Sequence, residues 1–533
     1  MGLDENDVSD IKHSMNALTT WQNTDDPPEI IKTIPTLSMK DIQGTTSIEY
    51  PIAVTTGSNG IQFVKHELAT STSQILYVDI GIDISSVPYE DIVLLRLFED
   101  MLFELDTISM SNRELSQLIG KDTGGLDSMI YVMSVNSDEQ QDEITVQSED
   151  NIVTYFFLRG KTTISKIDQL FTIFRTIISD TQFDDNPKAL QILKRSIAQS
   201  ATSIQSSGHV YSNTRIQSHF TVTGYLNEKL KGATFLESSR KLLVDMESDW
   251  PSILVRLENI QKIMKDTMFL GGSGLLINYT GDRKVMKIAD PYIKNIESKG
   301  FGKSSSRVEV DLKNDVHPWI SKAKSDLYAS NMKDVGFVIP TQVSYVGKGA
   351  RIFEAGEIAH GSISTILHYL ENGYLWENVR MKGGAYGAFS SFAMRDGVLS
   401  FISYRDPNLK ETLELYDEIS SFLERRASIE LQDSKSNILE LQIIGTIGNL
   451  DGAILSARAQ GLLSLSRWLK RESAKARQKW REDIINTTID DFDELQKRIQ
   501  KFWWERASSV IISSETKLEN FQENHNISIL YPV

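Results

Sequence analysis

Apolar residues alternate without interruption across 73–85, with Leu76, Val78, Ile80, Ile82 and Ile84 on one face and Tyr77, Asp79 and Asp83 on the other. A period of two predicts a half-buried strand in an antiparallel or mixed sheet. The period then changes. Between 90 and 105, Leu94, Leu97, Phe98, Met101, Leu102 and Leu105 form one stripe at helical spacing. Arg96, Glu99, Asp100 and Glu104 interrupt this apolar run, the richest in the chain, which predicts an amphipathic core helix. No run approaches the ~18 apolar residues that a membrane span needs. A helix near 112–120, a turn at Thr123-Gly124-Gly125, strands near 128–135 and 152–159, and helices near 165–179 and 186–205 follow. Ahead of this region, Val8, Ile11, Met15 and Leu18 recur at helical spacing until Asp26-Pro27-Pro28 stops the pattern. Residues 1–45 thus predict a helical lead-in, with a short second helix around 29–34 before Pro35.

The second half repeats the order. A strand over 336–345, a helix over 361–380, a turn at Gly383-Gly384, strands near 388–394 and 398–404, and helices near 409–425 and 428–445 are expected. The recurrence falls at roughly 260 residues by pattern, although residue identity between the halves is negligible. The expectation is a duplication: two α+β domains, each a sheet with helices packed on one face. Their junction is placed in the polar stretch 298–313, where Lys303-Ser304-Ser305-Ser306 reads as linker. A length of 533 residues also exceeds what one compact core holds.

Composition narrows the chemistry. Hydrophobic content of 40% with 24% charged residues is that of a soluble globular protein. The absence of cysteine removes disulfides, thiolate metal sites and cysteine nucleophiles together. A net charge of −16 disfavours nucleic acid and anionic membranes as partners. It suits a cationic substrate, or serves solubility alone. The opening residues Met1-Gly2-Leu3-Asp4-Glu5 have neither a basic nor an apolar signal region, so compartment is left open.

The usual signatures of a self-sufficient enzyme are missing from the sequence. There is no phosphate-binding Gly-x-x-x-x-Gly-Lys-Ser/Thr, no Gly-x-Gly-x-x-Gly after a strand and no Gly-x-Ser-x-Gly elbow. Neither His-Glu-x-x-His nor His-x-x-Glu-His occurs, and no two of the eight histidines stand three or four apart, the helical spacing for zinc. Glu357 and His360 are three apart, a spacing that one helix face would accommodate, but no third ligand is implied and a surface pair is expected. This chain is therefore expected to bind no catalytic metal. The basic segment from Arg467 to Arg481, with Trp468 and Trp480, is expected to be a solvated helix with buried tryptophans, and Asp490-Asp491-Phe492-Asp493-Glu494 to start a helix.

One stretch is dense in unusual features: Asn378-Val379-Arg380-Met381-Lys382-Gly383-Gly384-Ala385-Tyr386-Gly387-Ala388 ends a helix and enters a strand. Three glycines in five positions indicate positive φ or close approach of another chain. Arg380 offers a permanently charged fork of donors, and the Tyr386 hydroxyl can donate to an oxyanion. The same residues also satisfy a purely structural description, a helix C-cap with a basic last turn and a strand tyrosine.

Arg380-x-x-Gly383-Gly384-Ala385-Tyr386-Gly387, followed by Ser403-Tyr404-Arg405-Asp406-Pro407-Asn408, closely resembles the last domain of the presequence protease and falcilysin family of pitrilysin-type zinc metallopeptidases. The resemblance extends over nearly the whole chain, through Trp21-Gln22-Asn23-Thr24-Asp25-Asp26-Pro27-Pro28-Glu29, Ile34-Pro35-Thr36-Leu37, Thr123-Gly124-Gly125, Ser207-Gly208-His209-Val210-Tyr211 and Val343-Ser344-Tyr345-Val346-Gly347 in the family's order. It implies four similar domains in two halves, joined by a helical hairpin and closing around a chamber for unfolded peptides. Here it implies a linker arm at 1–45, a third peptidase-like domain at 46–300 without a zinc motif, and a fourth at 301–533. Arg96-Leu97-Phe98-Glu99-Asp100 falls where the motif of a zinc-binding domain would stand, with Glu99 on a solvated face.

The resemblance further implies that zinc is held by an N-terminal half, the main partner, and that this chain alone is inactive. Arg380 would bind a substrate carbonyl or carboxylate, Tyr386 would stabilise the oxyanion, and Gly383 and Gly384 would lie against the substrate. Unstructured peptides are the implied substrates, and the bared chamber face makes self-association of the half plausible. The alternative within the superfamily is a non-catalytic binding or scaffold subunit, and a further one is an autonomous hydrolase with an unrecognised site.

Overall fold

The alternating stretch at 73–85 forms a nine-residue strand at the centre of the first of two six-stranded sheets in the computed structural model. The structure describes the chain except for residues 1–4, 23, 25–26, 32, 34, 46–48, 137–141, 148–150, 273, 303–316, 330–333, 428–436, 453–454 and 533. The expected linker Lys303-Ser304-Ser305-Ser306 and the start of the helix expected at 428–445 lie outside the described residues.

Residues Met1–Gln43 form one compact unit and Gly44–Val533 another. The first contains the expected helix, Glu5–Gln22, with Ile11, Met15 and Leu18 at helical spacing, and the short helix Pro28–Ile31.

Within Gly44–Val533, strands β1 (Ala53–Thr56), β2 (Gln62–Leu68), β3 (Ile75–Asp83), β4 (Leu126–Ser134), β5 (Ile152–Thr163) and β6 (Leu275–Asp282) form the first sheet, in the order β1-β2-β6-β3-β5-β4. Strands β7 (Val335–Val338), β8 (Tyr345–Arg351), β9 (Gly387–Ala393), β10 (Val398–Tyr404), β11 (Ser508–Ser513) and β12 (Ser528–Leu530) form the second, in the order β12-β7-β11-β8-β10-β9. Leaving out the outer β1 and β12, the two sheets have one topology. β2 and β6 are parallel, as are β7 and β11. The other pairings among these ten strands are antiparallel. The duplication inferred from the order of elements is thus a duplication of topology.

Each sheet carries helices of its own segment on one face. Ile92–Met101, Ile167–Asp180 and Trp250–Leu270 bury Leu94, Phe98, Phe171, Phe174, Leu257 and Met264 against Val78, Ile80 and Phe156 of the first sheet. Ser362–Leu370 and Ile489–Arg506 bury Ile366, Leu370, Ile499 and Trp503 against Val346, Phe401 and Ile511 of the second. The opposite faces are covered by exchange. The long helix Asn186–Ser218 lays Ile204 and Ile216 on Tyr345, Val510 and Ile512 of the second sheet. In return, Ala457–Leu469 lays Leu465 and Leu469 on Val64, Phe157 and Leu276 of the first. The helix Trp319–Ala329 also packs into the first core through Trp319, Ile320 and Ala323, and the Trp319 indole donates to the Val87 carbonyl at 2.7 Å.

This exchange corrects the expectation of a half-buried β3. Asp79, on the face assigned to solvent, is 3% exposed. It is satisfied by the Arg159 guanidinium at 2.9 Å and the Asn278 amide at 2.8 Å. Glu99 is corrected likewise. It is buried, not solvated, and accepts from Arg96 and, at 2.9 Å, from the Ser128 hydroxyl. Burial holds its pKa above the ordinary carboxylate range.

Other departures have local causes. The strand expected over 336–345 is two strands, β7 and β8, flanking a turn in which Ser344 and Asp406 exchange backbone hydrogen bonds of 2.7 and 2.8 Å. The helix expected at 186–205 continues to Ser218 through a kink at Ser207 (φ −132°, ψ 32°). The basic stretch from Arg467 divides into the helices Ala457–Leu469 and Ala474–Ile485, separated by Arg471 at φ 53°. Glu357 and His360 share no helix face: Glu357 pairs with Arg498 at 2.9 Å, and His360 faces Asp483 at 3.3 Å.

Candidate functional site at the Arg380–Tyr386 turn

The helix Ser362–Leu370 passes directly into the π-helical segment Glu371–Lys382. Its buried side chains are Tyr374, Leu375 and Val379, which continue the buried face of the preceding helix from Leu370. Gly383 caps the segment, its N–H donating to the Asn378 carbonyl at 2.9 Å. A Cβ there would stand 2.6 Å from the Val379 carbonyl oxygen, so the crowding comes from the preceding turn of its own segment and not from another stretch of chain. Gly384 reverses the chain at φ 80° and donates to the Arg380 carbonyl at 2.9 Å.

The segment Ser403-Tyr404-Arg405-Asp406-Pro407-Asn408 holds this turn from the other side. The Asn408 amide donates to the Gly383 carbonyl. The Tyr386 N–H donates to the Tyr404 carbonyl at 3.1 Å and is 3.4 Å from that of Arg405. Asp406 anchors the segment. It is fully buried and accepts from the Asn408 N–H at 2.9 Å and the Thr412 hydroxyl at 2.8 Å. Burial raises its pKa despite those donors.

Two side chains emerge from this rigid base. Tyr386 is 68% exposed and meets the Tyr404 ring edge-on, with centroids 5.6 Å apart. Arg380 lies with its guanidinium carbon 4.0 Å from the centroid of the Trp376 ring. Among the described residues Arg380 has no carboxylate partner. A fixed cationic fork and a solvent-facing phenol can bind a carbonyl, carboxylate or oxyanion.

The segments around Ser207 and Tyr345 support the same wall. Beside the Ser207 kink the Gln205 carbonyl accepts from the Tyr345 hydroxyl. Gly208 makes that approach possible, because a Cβ there would stand 2.3 Å from the Tyr345 ring. The His209 ring then packs at 4.8 Å from Tyr404 and 5.7 Å from Phe389. Burial lowers the His209 pKa, so the ring packs as a neutral aromatic.

The structure therefore brings Arg380, Gly383, Gly384 and Tyr386 into one turn and gathers Ser207 to His209, Tyr345 and Ser403 to Asn408 beneath it. Sequence reasoning missed Trp376 and, although Asn408 stands in the segment that carries the resemblance, the clamp it forms on Gly383. The i, i+4 spacing of Trp376 and Arg380 was a usable signal; the Asn408 contact spans 25 residues and had none. Among the described residues, no group of three or more His, Asp or Glu stands close enough to hold a metal ion. At the place corresponding to a zinc motif, Arg96 is a cation already paired with Glu99, which is not a ligand set.

The chain matches the family model of the PreP C-terminal domain over residues 334–515 and, over residues 1–242, that of the region associated with subfamily C of peptidase M16. It is 30% identical to Presequence protease 1, chloroplastic/mitochondrial, of Arabidopsis thaliana over 93% of this chain and 42% of that protein. It is 28% identical to Protein HypA of Clostridium perfringens over 98% of this chain and 49% of that protein. The chain thus spans about half the length of these curated relatives. In fold it is similar to the crystal structure of a peptidase M16 inactive domain from Pseudomonas fluorescens, with a TM-score of 0.54 and 12% identity over 87% of this chain and 98% of that one. The two family models, which between them match most of the chain, and the relatives agree: in sequence the chain is similar to the C-terminal half of the presequence-protease group of pitrilysin-type peptidases, and its fold is that of a peptidase M16 inactive domain.

Proposed function

We propose that this chain is the substrate-binding half of a zinc oligopeptidase that degrades unstructured peptides. Residues 1–45 are read as the linker arm, 46–300 as the third peptidase-like domain and 301–533 as the fourth. The partner is an N-terminal half that holds the zinc ion. That ion would supply an activated water and polarise the scissile carbonyl. The role of this chain is preorganisation. Arg380, stacked on Trp376, binds a backbone carbonyl or carboxylate of the peptide, with Gly383 and Gly384 giving the backbone room to approach. Tyr386 donates its hydroxyl to the developing oxyanion, an interaction whose loss typically lowers turnover ~10²–10³-fold. Because these donors come from a second half, the site is complete only on closure, which admits flexible peptides and excludes folded proteins.

The observation that carries this reading is the pairing of an exposed tyrosine with an arginine lacking a carboxylate partner across a clamped Gly-Gly turn. The test is cleavage of a quenched fluorescent peptide by this chain, alone and mixed with a zinc-binding N-terminal half. Activity is expected only in the mixture, lost on chelation, and sharply lowered by Arg380→Ala and Tyr386→Phe. Undiminished cleavage by both variants would remove the roles given to them. An assembled but inactive mixture would favour a scaffold subunit, and chelator-resistant cleavage by the chain alone an autonomous hydrolase.

A further inference from the structure

A second arginine stands on the same turn. Arg405 is exposed, and its guanidinium carbon lies 5.4 Å from the centroid of the Tyr404 ring, which also makes the edge contact with Tyr386. Like Arg380, it has no carboxylate partner among the described residues. The two arginines are anchored two residues apart on one backbone. The Arg380 carbonyl receives the Gly384 N–H at 2.9 Å, and the Arg405 carbonyl faces the Tyr386 N–H at 3.4 Å.

Two further observations set Arg405 apart from an ordinary surface cation. Its φ is 50°, in the left-handed region that favours glycine or asparagine, so the backbone gives no reason for arginine there. The local charge is also inverted. The chain carries a net charge of −16, yet this turn presents Arg380 and Arg405, with Lys517 donating to the Pro407 carbonyl at 3.1 Å. Its own carboxylate, Asp406, is buried and occupied by Asn408 and Thr412. Aromatic stacking fixes a guanidinium while leaving its N–H edge free for an anion.

We propose that Arg405 is a specificity-determining residue that binds a carboxylate of the peptide substrate, either the C-terminal carboxylate or an Asp or Glu side chain, beside the group held by Arg380. This rests on the peptide-binding role proposed above. A planar guanidinium can receive a carboxylate through two parallel hydrogen bonds, which an amide cannot match. The substrates favoured would carry a carboxylate within a few residues of the segment lying on the Gly383-Gly384 turn.

The test is isothermal titration of the purified chain with three versions of one unstructured peptide lacking basic residues. The first has a free C-terminus and no acidic side chain, the second is its C-terminal amide, and the third is that amide with one internal Asp. At least one carboxylated version is expected to bind about tenfold or more tighter than the plain amide, as charge-assisted hydrogen bonds do. Whichever is favoured identifies the source of the carboxylate. Arg405→Asn, which suits the left-handed backbone, should bring the versions within about threefold of one another, while Arg405→Lys keeps part of the preference. Thermal unfolding of Arg405→Asn would show that the fold is intact. Equal binding of all versions by the unsubstituted chain, or a preference surviving Arg405→Asn, would overturn the assignment and leave peptide binding standing. Binding of none would overturn both.

Discussion

Arg380 lies over the Trp376 ring at 4.0 Å, one turn further along a π-helical segment, so the cation of the candidate site is fixed by an aromatic that precedes it. Trp376 is 45% exposed and contributes little to the core. Its replacement by leucine should leave thermal stability nearly unchanged. A cation–π contact at such a site is worth about 0.5–1 kcal/mol, so kcat/KM of the assembled enzyme should fall roughly two- to fivefold. Trp376→Phe should recover part of that. Steady-state kinetics beside thermal unfolding checks both, and an effect confined to stability would refute the positioning role.

Two glycines separate close approach from mere flexibility. At Gly208 a Cβ would stand 2.3 Å from the Tyr345 ring, against which Gln205 and His209 are also organised. Gly208→Ala must move the kinked helix off the second sheet, and overpacking of this kind costs about 1–3 kcal/mol. At Gly373, on the exposed side of the π-helical segment, a Cβ meets nothing within 4 Å. There Gly→Ala should be neutral or stabilising by up to about 1 kcal/mol. Chemical denaturation of the two variants should displace the midpoint in opposite directions or at Gly208 alone.

Acid should weaken the fold through half-buried imidazoles. His317 accepts the Trp319 N–H on Nδ1 at 3.2 Å, and its Nε2 lies 2.8 Å from the Thr154 hydroxyl. A proton on Nδ1 would abolish the first bond, and burial lowers its pKa to about 4. His219 has Nδ1 on the Ser508 hydroxyl and a buried, unpartnered Nε2; burial and then the nearby Arg215 lower its pKa to about 3. Both folded values lie below that of the unfolded imidazole, so the unfolded chain binds more protons. Their contribution is complete above about pH 6.5 and is lost progressively as pH falls towards 4 and then 3. At pH 5 each would have lost about 2 kcal/mol relative to pH 7.5, so His219→Gln should flatten the acid limb of a stability–pH profile measured by denaturant unfolding.

Legibility in the sequence followed the range of the interactions. The alternation of Leu76, Val78, Ile80 and Ile82 reported β3 correctly, because one face of a strand is set by its own period. Asp79 and Glu99 were placed in solvent because their partners, Arg159, Asn278 and Ser128, are remote in sequence. The Arg380–Tyr386 turn was visible through its glycines and through resemblance. The clamp at Asn408 and the Tyr345–Gln205 bond were not, since they join segments 25 and 140 residues apart. The order of strands repeated legibly, but no periodicity could show that each half covers the other's sheet.

That exchange makes a prediction about folding units. A fragment of residues 44–300 would retain all six strands of the first sheet yet lack Leu465 and Leu469, leaving Val64, Met133, Tyr155, Phe157 and Leu276 bare on one face. It would also lack Trp319, Ile320 and Ala323 from its main core. A fragment of residues 301–533 would lack Ile204 and Ile216, baring Tyr345, Val510 and Ile512. Contiguous apolar faces of this kind seldom stay exposed in a monomer. Each fragment alone should therefore bind a hydrophobic dye and unfold without a sharp transition, whereas the mixed fragments should regain a cooperative melt. A sharp melt of 44–300 alone without dye binding would show that the exchanged helices add little to either core. The opposite result would mean that Gly44–Val533 folds as one unit, with the wall beneath Arg380 and Tyr386 built partly from the helix that crosses over from the first half.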